Sequence, residues 1–294
     1  MKIQKLWMKG YKTLSEAGIE NARLDAGYIL EWVLKCSHSE LLLHPEREVA
    51  EADIKQYSRA IERRSLHEPL QYITGEQEFM GYSFQVNENV LIPRQDTEVL
   101  VETVLNSPKA KMQGCECRIL DLCCGSGCIG ISLWKQMQKR PDIYAKPLVT
   151  LADISKEALQ VAGHNKIRLD VEAELIESDL FDKIGGRYDI IVSNPPYIKS
   201  QEVDTLMPEV LNHEPRLALD GAEDGLKFYR AITKQAMQYL EDAGYLFFEI
   251  GYNQAEDVRK LFADIGFYNI TVVKDLAGLN RVIYAGNSED IQEV

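Results

Sequence analysis

The sequence predicts an α/β protein in which a small N-terminal helical bundle precedes a doubly wound, mostly parallel sheet. From Arg118 onward, short apolar runs alternate with helical stretches, a pattern typical of strands joined by helical crossovers. Before residue 73, apolar residues recur at helical spacing, and neither strand alternation nor a glycine-rich phosphate loop is present. The 294 residues are enough for one large domain or two ordinary ones.

Residues 1–72 are predicted to form the helical bundle. One apolar face runs from Ile3 to Leu14, and another runs from Ile54 to Ile61. Between them, Asn21 is a plausible N-cap for a helix whose apolar positions are Leu24, Tyr28, Leu30 and Val33. We expect this region to act either as a packing cap or as a substrate-docking domain.

Residues 73–92 are predicted to form a β-hairpin linker. Between Gln71 and Val86, aromatic residues alternate with polar ones around Gly75 and Gly81. A helix should then open the next domain, with Asp96 or Thr97 as its cap.

The main domain is predicted to span residues 93–286 and is followed by a polar, acidic tail at 287–294. Its seven candidate strands are Arg118–Leu122, Leu148–Ile154, Ala173–Glu177, Tyr188–Ser193, Gly244–Ile250, Asn269–Val273 and Arg281–Ala285. In a doubly wound sheet, ligands bind beyond the carboxyl ends of the strands, near the point where the strand order reverses. The functional residues should therefore follow these strands directly.

A glycine loop follows the first strand of this domain. Gly125, Gly127 and Gly130 match the dinucleotide fingerprint by letter, although a helix-packing turn gives the same letters. Asp121 lies inside the strand, where its carboxylate would repel a pyrophosphate but can face a cationic amino-acid group. This combination favours S-adenosylmethionine over a dinucleotide.

The next two strands end in residues that suit the remainder of that cofactor. Asp153 can accept hydrogen bonds from both ribose hydroxyls, or it can cap the helix that begins near Ser155. Asp179 is placed for the exocyclic amine of an adenine, with Leu180 or Phe181 available to its ring face.

The tetrad Asn194-Pro195-Pro196-Tyr197 follows the fourth strand and is the most specific feature of the chain. Two prolines make the loop stiff, so the Asn194 amide is held in a defined position. The Asn194 oxygen and the Pro195 carbonyl can accept the two hydrogens of a planar NH2 group, and Tyr197 can stack on its face. An Asn-Pro turn at a strand end is the simpler interpretation, and it does not explain the whole tetrad.

Composition excludes several classes of protein. A net charge of −13 argues against a large duplex nucleic-acid footprint. No apolar run reaches membrane-spanning length and the N-terminus has no signal core, so we expect a cytoplasmic protein. Five of the six cysteines fall between Cys115 and Cys128, but their spacing fits no zinc pattern, and we expect no metal.

The chain resembles the seven-stranded, Rossmann-like S-adenosylmethionine-dependent methyltransferases, and within them the peptide chain release factor glutamine methyltransferases of the HemK/PrmC family. The resemblance extends over nearly the whole chain, through the segments Arg23–Ala26, Glu68–Gly75, Ile92–Glu98, the glycine loop, Asn194–Tyr197, Glu214–Leu219, Asp224-Gly225 and Asp275–Gly278. The chain departs from the family at Cys123-Cys124, where a Gly-Thr pair is usual, and at Leu180, where a tryptophan is frequent.

The resemblance implies methylation of the glutamine amide in the Gly-Gly-Gln motif of class 1 release factors. It assigns cofactor binding to Asp121, Cys123, Cys124, Gly125, Ser126, Gly127, Asp153, Asp179, Leu180 and Asn194. Substrate binding falls to Asn194, Pro195, Pro196 and Tyr197, of which Asn194, Pro195 and Tyr197 are the catalytic candidates. The segment Gln201–Asp224 is long enough to cover the cleft, and its His213 is expected to be structural rather than a base.

Three other functions stay open on the sequence alone. An adenine amino-group methyltransferase acting on nucleic acid would use the same tetrad, although direct nucleic-acid binding is not expected at this net charge. A nicotinamide-dependent oxidoreductase would use the glycine fingerprint, and Asp121 argues against it. A non-catalytic binding module would retain the fold alone.

Overall fold

The computed structural model describes residues 1–289 and divides into two compact units. One unit contains residues 1–76 together with 207–213, and the other contains residues 77–206 and the chain from Glu214 onward. The predicted acidic tail, 287–294, lies partly outside the described residues.

Among residues 1–289 there are twelve α-helices and nine strands. The helices are α1 (Ile3–Glu16), α2 (Ala22–Leu34), α3 (His38–Leu43), α4 (Glu51–Ser65), α5 (Leu70–Thr74), α6 (Glu98–Leu105), α7 (Cys128–Lys139), α8 (Lys156–Arg168), α9 (Ser200–Val203), α10 (Pro208–His213), α11 (Lys227–Tyr239) and α12 (Ala255–Ile265). The strands are β1 (Glu76–Phe79), β2 (Tyr82–Gln85), β3 (Glu116–Leu122), β4 (Lys146–Asp153), β5 (Ala173–Glu177), β6 (Tyr188–Ser193), β7 (Leu240–Glu249), β8 (Tyr268–Lys274) and β9 (Asn280–Gly286). Two short 3₁₀ turns lie at Gln95–Thr97 and Arg216–Ala218.

The N-terminal unit is the predicted helical bundle, with one helical face different from the prediction. Helix α2 buries Ile29, Leu30 and Val33 but leaves Leu24 and Tyr28 exposed. Asn21 precedes this helix as expected, yet its side chain makes no capping hydrogen bond. The buried face of α2 therefore also uses small residues such as its alanines, whereas the larger apolar side chains at the start of the helix face solvent.

The predicted hairpin is present and shorter than the predicted linker. Strands β1 and β2 are joined at Met80 and Gly81, both of which have positive φ, as a two-residue hairpin turn requires. Ile73 and Thr74, which were assigned to the linker, end helix α5, and Gly75 closes that helix in the left-handed conformation. The expected side-chain cap at Thr97 or Asp96 is wrong, because no capping hydrogen bond forms at the start of α6.

The main sheet confirms the predicted doubly wound architecture. Within residues 1–289 it has seven strands in the order β5-β4-β3-β6-β7-β9-β8, and all seven predicted strands are among them. The five strands from β5 to β7 are parallel, and β9 runs antiparallel to both of its neighbours. The strand order reverses between β3 and β6, which is where such sheets bind ligands.

Both faces of the sheet are buried, which makes its central strands rigid supports. Ile119 and Ile190 pack into one hydrophobic core, and Leu120 and Ile191 pack into another. The alternation follows from the two-residue period of a strand. Within the described part of the chain, no helix combines the length and apolar character needed to cross a membrane.

Candidate active site

A cavity of about 520 Å³ lies at the carboxyl ends of β3, β4, β5 and β6. Most of the predicted site residues line it: Cys123, Cys124, Gly125, Ser126, Asp153, Asp179, Leu180, Asn194 and Pro196. Among the described residues, four other predicted ones are not part of its wall: Asp121, Gly127, Pro195 and Tyr197. Nine of the predicted site residues therefore meet at one cavity, and the other four do not reach its surface.

The three glycines of the loop after β3 have different roles. A Cβ at Gly125 would meet no atom within 4 Å, so this glycine leaves open space beside the cavity. A Cβ at Gly127 would lie 3.0 Å from Ile131, and one at Gly130 would lie 2.4 Å from Leu151. Gly125 thus permits close approach of a ligand, whereas the other two permit close packing of helix α7 on the sheet.

Asp121 lies beneath this loop and is fully buried. Its Oδ2 accepts the Gly130 N–H at 2.9 Å, while Oδ1 has no hydrogen-bond partner among the described residues. Burial raises the pKa of Asp121 to about 7, and nearby Asp153 adds to the increase. Its assignment to the cationic end of a cofactor stays a prediction, because the carboxylate serves the loop itself.

Asp153 connects the glycine loop to the next strand. Its Oδ2 accepts the Gly125 N–H and its Oδ1 accepts the Ser155 N–H, both at 2.9 Å. The cap of helix α8 is the Ser155 hydroxyl, which accepts from the Ala158 N–H at 3.1 Å. Asp153 is therefore not the helix cap, and its carboxylate lines the cavity with lone pairs left for a ligand.

The turn after β5 places Asp179 and Leu180 at the cavity wall. The Ser178 hydroxyl holds this turn by donating to the Leu180 carbonyl at 2.9 Å. Phe181, offered as an alternative for the adenine face, is instead buried and stacks on Tyr239 at 4.5 Å between ring centroids. That alternative is wrong, because the ring belongs to the core.

The tetrad after β6 is fixed at both ends. The Asn194 Nδ2 donates to the Thr97 hydroxyl at 3.4 Å. This hydrogen bond does not use the Asn194 side-chain oxygen. At the other end, the Tyr197 hydroxyl donates to Glu249 at 3.3 Å, and the Gln254 side chain donates to the Tyr197 carbonyl at 3.0 Å. The Tyr197 ring is anchored by its hydroxyl, so the predicted stacking on a substrate is not supported by its position.

Two glycines pack directly against the backbone of the tetrad. A Cβ at Gly221 would lie 2.8 Å from the Tyr197 Cα, and one at Gly225 would lie 2.4 Å from the Tyr197 carbonyl oxygen. A backbone bridge between Ile198 and Asp220 joins the same two segments. Gly221 and Gly225 are therefore needed for close approach of backbone to backbone.

Part of the predicted covering segment does reach the cavity. Pro215, Leu217 and Ala218 line it. Glu214, which is buried, accepts from the Ile92 N–H at 3.3 Å and forms an ion pair with Arg94. Residues 207–213 of the segment belong instead to the N-terminal unit, where the His213 ring contacts the Leu66 carbonyl at 3.4 Å.

Three residues that support the tetrad, Thr97, Glu249 and Gln254, were not predicted in that role. Glu249 did carry a signal, because it is a lone carboxylate at the carboxyl end of an apolar strand beside β6. A charged group in such a place needs partners. Thr97 and Gln254 carried none, since each comes from a distant part of the sequence.

All six cysteines are free thiols. Burial raises the pKa of Cys117 and of Cys128 to about 12 and also raises that of Cys124, so these thiols stay protonated. Protonated thiols are poor metal ligands. Among residues 1–289, no group of three or more side chains is arranged to hold a metal ion.

Comparisons with known proteins agree with this geometry. Residues 5–75 match the family model for the PrmC N-terminal domain, and residues 95–223 match the methyltransferase small domain. A release factor glutamine methyltransferase from Fusobacterium nucleatum is 42% identical over 98% of this chain and 81% of its own length. One from Clostridium acetobutylicum is 39% identical over 97% of this chain and 98% of its own length.

The structure of the hMettl16 catalytic domain in complex with a MAT2A 3'UTR hairpin is similar in fold. It has a TM-score of 0.57 and 14% identity, and the match covers 83% of this chain and 84% of that one. The fold and the site together define an S-adenosylmethionine-dependent methyltransferase. Within that class, the chain belongs to the release factor glutamine methyltransferase family.

The residues at the cavity fit S-adenosylmethionine. The open space beside Gly125 leaves room for a ligand against the loop backbone, and Asp153 offers acceptors to ribose hydroxyls. Asp179 and Leu180 also line the cavity, where we expect them to face the adenine. We expect the loop from Cys123 to Ser126 to hold the amino-acid portion.

Proposed function

We propose that this protein transfers a methyl group to the side-chain amide nitrogen of the glutamine in the Gly-Gly-Gln motif of class 1 release factors. The observation that carries the proposal is the Asn194 amide. It lies at the cavity wall, and its NH2 group is already engaged by Thr97. The Asn194 oxygen is therefore the atom available to accept a hydrogen from a substrate amide.

The chain's own residues act by alignment rather than by acid–base chemistry. An amide nitrogen is a weak nucleophile because its lone pair is delocalised into the carbonyl, and a neutral amide is too weak an acid for a carboxylate to deprotonate. When bound, S-adenosylmethionine supplies an electrophilic methyl group. Acceptance of one amide hydrogen by the Asn194 oxygen would orient the nitrogen and favour positive charge on it. The Pro195 carbonyl, which the sequence predicted for the second hydrogen, does not line the cavity. The proton can leave after transfer.

We propose that the N-terminal unit docks the release factor. Helix α2 exposes Leu24, Tyr28 and Trp32, which are 55%, 51% and 37% accessible and follow one another at four-residue intervals. Such spacing places them along one face of the helix. An exposed row of apolar and aromatic side chains suits a protein partner.

A paired substitution tests the docking role. Tyr28→Ser with Trp32→Ser should raise KM for the intact release factor roughly 10-fold or more, while KM for a short Gly-Gly-Gln peptide changes little. Leu43→Ser, at an apolar residue that is 74% exposed on α3 rather than α2, is the control. Equal KM values for the double variant and the control on the intact factor would exclude docking through this face.

The partner and location complete the proposal. A release factor is a cytoplasmic protein, and six free thiols suit a reducing compartment, so we propose a cytoplasmic enzyme.

Adenine methylation of nucleic acid remains the second candidate, because the tetrad would accept an adenine amino group equally well. The net charge of −13 opposes it.

One assay separates these functions. Wild-type protein is incubated with labelled S-adenosylmethionine and, in parallel, with a release factor, the same factor carrying Asn in place of the motif glutamine, and duplex and single-stranded DNA. We expect label in the unmodified release factor alone. Label in DNA, or equal label in both release factors, would refute the proposed substrate.

A further inference from the structure

The loop between β8 and β9, residues 275–279, carries exposed apolar side chains at the same edge of the sheet as the cavity. Strand β9 runs antiparallel to β7, and its first residues pair with the end of β7, so the loop lies beyond the carboxyl ends of the parallel strands. Within the loop, Leu276 is fully exposed and Leu279 is 45% exposed. Tyr252, which follows β7 at the same edge, is 60% exposed.

Asp275 gives this loop a defined shape. Its Oδ1 accepts the Leu279 N–H at 2.9 Å and the Ala277 N–H at 3.0 Å, and its Oδ2 pairs with Arg281 at 3.1 Å. The hydrogen bond from Leu279 and the pairing with Arg281 hold the pKa of Asp275 below its ordinary value, which keeps the carboxylate charged at neutral pH. A preorganised loop loses little conformational entropy when it binds a partner.

The base of the loop is joined to the wall of the cavity. Arg281 also pairs with Asp96 at 3.0 Å, and the residue after Asp96 is Thr97, which lines the cavity. The Asn280 side chain donates to the Tyr252 carbonyl at 3.2 Å, so Tyr252 is tied to the same base. The exposed apolar side chains are thus fixed relative to the cavity that the substrate glutamine has to enter.

We propose that Tyr252, Leu276 and Leu279 form a docking surface for the part of the release factor that flanks its Gly-Gly-Gln loop. This surface, which we call the β8–β9 docking surface, is additional to the row on α2. The inference rests on the proposed function, because it requires a folded protein substrate at this cavity.

The position of the surface favours the substrate as its occupant. When one loop of a folded protein enters the cavity, the rest of that protein covers the surface around the entrance. Exposed leucine and tyrosine side chains on a preorganised loop suit an apolar patch of such a partner. A second copy of the chain bound here would occupy the surface that the substrate has to reach. Contacts remote from the reacting amide can supply binding energy that positions it.

Steady-state kinetics of a double variant test the docking surface. Tyr252→Ser with Leu276→Ser should raise KM for the intact release factor roughly 10-fold or more, while kcat at saturation and Kd for S-adenosylmethionine change less than about twofold. KM for a short Gly-Gly-Gln peptide should be unchanged. Because the peptide lacks the flanking surface, it also reports whether the fold and the cavity of the variant are intact.

The matched control is Tyr268→Ser with Ile167→Ser, at the opposite edge of the sheet. Tyr268 begins β8 and is 40% exposed, and Ile167 lies near the end of α8 and is 76% exposed. We expect the control to keep the wild-type KM for the intact factor. Equal KM values for the two double variants would overturn the docking surface alone. A wild-type protein that methylates no intact release factor would overturn the proposed function, and this inference with it.

A binding measurement does not depend on turnover. In protein with ¹³C-labelled leucine methyl groups, the signals of Leu276 and Leu279 are identified by their absence from Leu276→Met and Leu279→Met. A release factor carrying Asn in place of the motif glutamine should shift both signals and leave those of Leu148, at the start of β4, unchanged. The short peptide should shift neither. No shift at saturation with the factor would overturn the proposal, as would the same shifts on concentrating the protein alone, which would assign the surface to a second copy.

Discussion

Two loops at the same edge of the sheet are held in different ways. The loop after β3 is shaped by its own backbone, with positive φ at Cys123, Gly125 and Gly127. The tetrad after β6 contains no glycine and is held from outside, by side chains of Thr97, Glu249 and Gln254 and by the close approach of Gly221 and Gly225. The first loop is held by its own backbone, whereas the tetrad is held by contacts with three other segments of the chain, around residues 97, 221–225 and 249–254.

The difference suits what each loop has to do. A loop that receives a ligand against its backbone needs space, and glycine provides it. A loop that aims one amide at a reacting atom needs rotational restraint on that side chain, which only neighbouring polar groups supply. Each of the following predictions therefore acts on one loop and leaves the other as its reference.

The largest expected effect concerns the buried carboxyl group beneath the glycine loop. Because the pKa of Asp121 rises from 3.8 to about 7 on folding, the folded protein keeps a proton that the unfolded chain releases. As pH rises from about 4 to about 8, this group should cost on the order of 4 kcal/mol of the free energy of unfolding. Asp121→Asn should therefore gain stability over wild type as pH rises. A difference in urea midpoint that is independent of pH would contradict this.

Substitution of Gly225, which packs against the tetrad, should lower the stability of the protein. Gly225 and Gly114 have φ of +76° and +78°, but only a Cβ at Gly225 would collide, at 2.4 Å from the Tyr197 carbonyl oxygen. Gly114→Ala should cost about 1 kcal/mol for the left-handed backbone alone, and Gly225→Ala about 3 kcal/mol with reduced kcat. Thermal unfolding and turnover of both variants check this. Equal losses would mean that the contact with the tetrad does not matter.

Asp153→Ala should weaken cofactor binding at the glycine-loop side. The substitution removes the acceptor for the Gly125 N–H as well as the proposed ribose contact. We expect the binding free energy of S-adenosylmethionine to weaken by ~1–3 kcal/mol, which raises Kd roughly 5- to 150-fold. Asp142→Ala, at an exposed carboxylate paired with Arg140, controls for the lost charge. Unchanged affinity by calorimetry would exclude the ribose assignment.

The smallest effect is expected at the first left-handed position of the glycine loop. Cys123 has a φ of 60°, which is strained for any residue with a Cβ. Cys123→Gly should raise the free energy of unfolding by up to about 1 kcal/mol. Cys124→Gly should lower it, because Cys124 is buried and packs in the core. Denaturant unfolding that shows the same sign for both would contradict this account.

The contrast between the loops also explains what could be predicted from the sequence. The seven strands and the position of the cavity were predictable because apolar runs and glycine turns are local patterns. Asp153, Asp179 and Asn194 were predictable because each lies at or just beyond the carboxyl end of a strand that reaches the cavity.

The remaining features depend on tertiary contacts. The sequence predicted that the Tyr197 ring stacks on the substrate, whereas in the structure its hydroxyl donates to Glu249. The sequence offered Phe181 as a contact for an adenine, whereas in the structure its ring stacks on Tyr239. No local pattern distinguishes an aromatic ring at a cavity wall from one in a core.

The most direct test of the account is the effect of Asn194→Ala on turnover and on cofactor affinity, measured with the same preparation. The account predicts that kcat on a release factor falls ~10²–10³-fold, because one preorganised polar group is lost from the site. It also predicts that Kd for S-adenosylmethionine changes less than about threefold, because the loop after β3 is intact. A near-normal kcat, or an affinity loss as large as the loss of kcat, would contradict the claim that the tetrad holds the substrate amide.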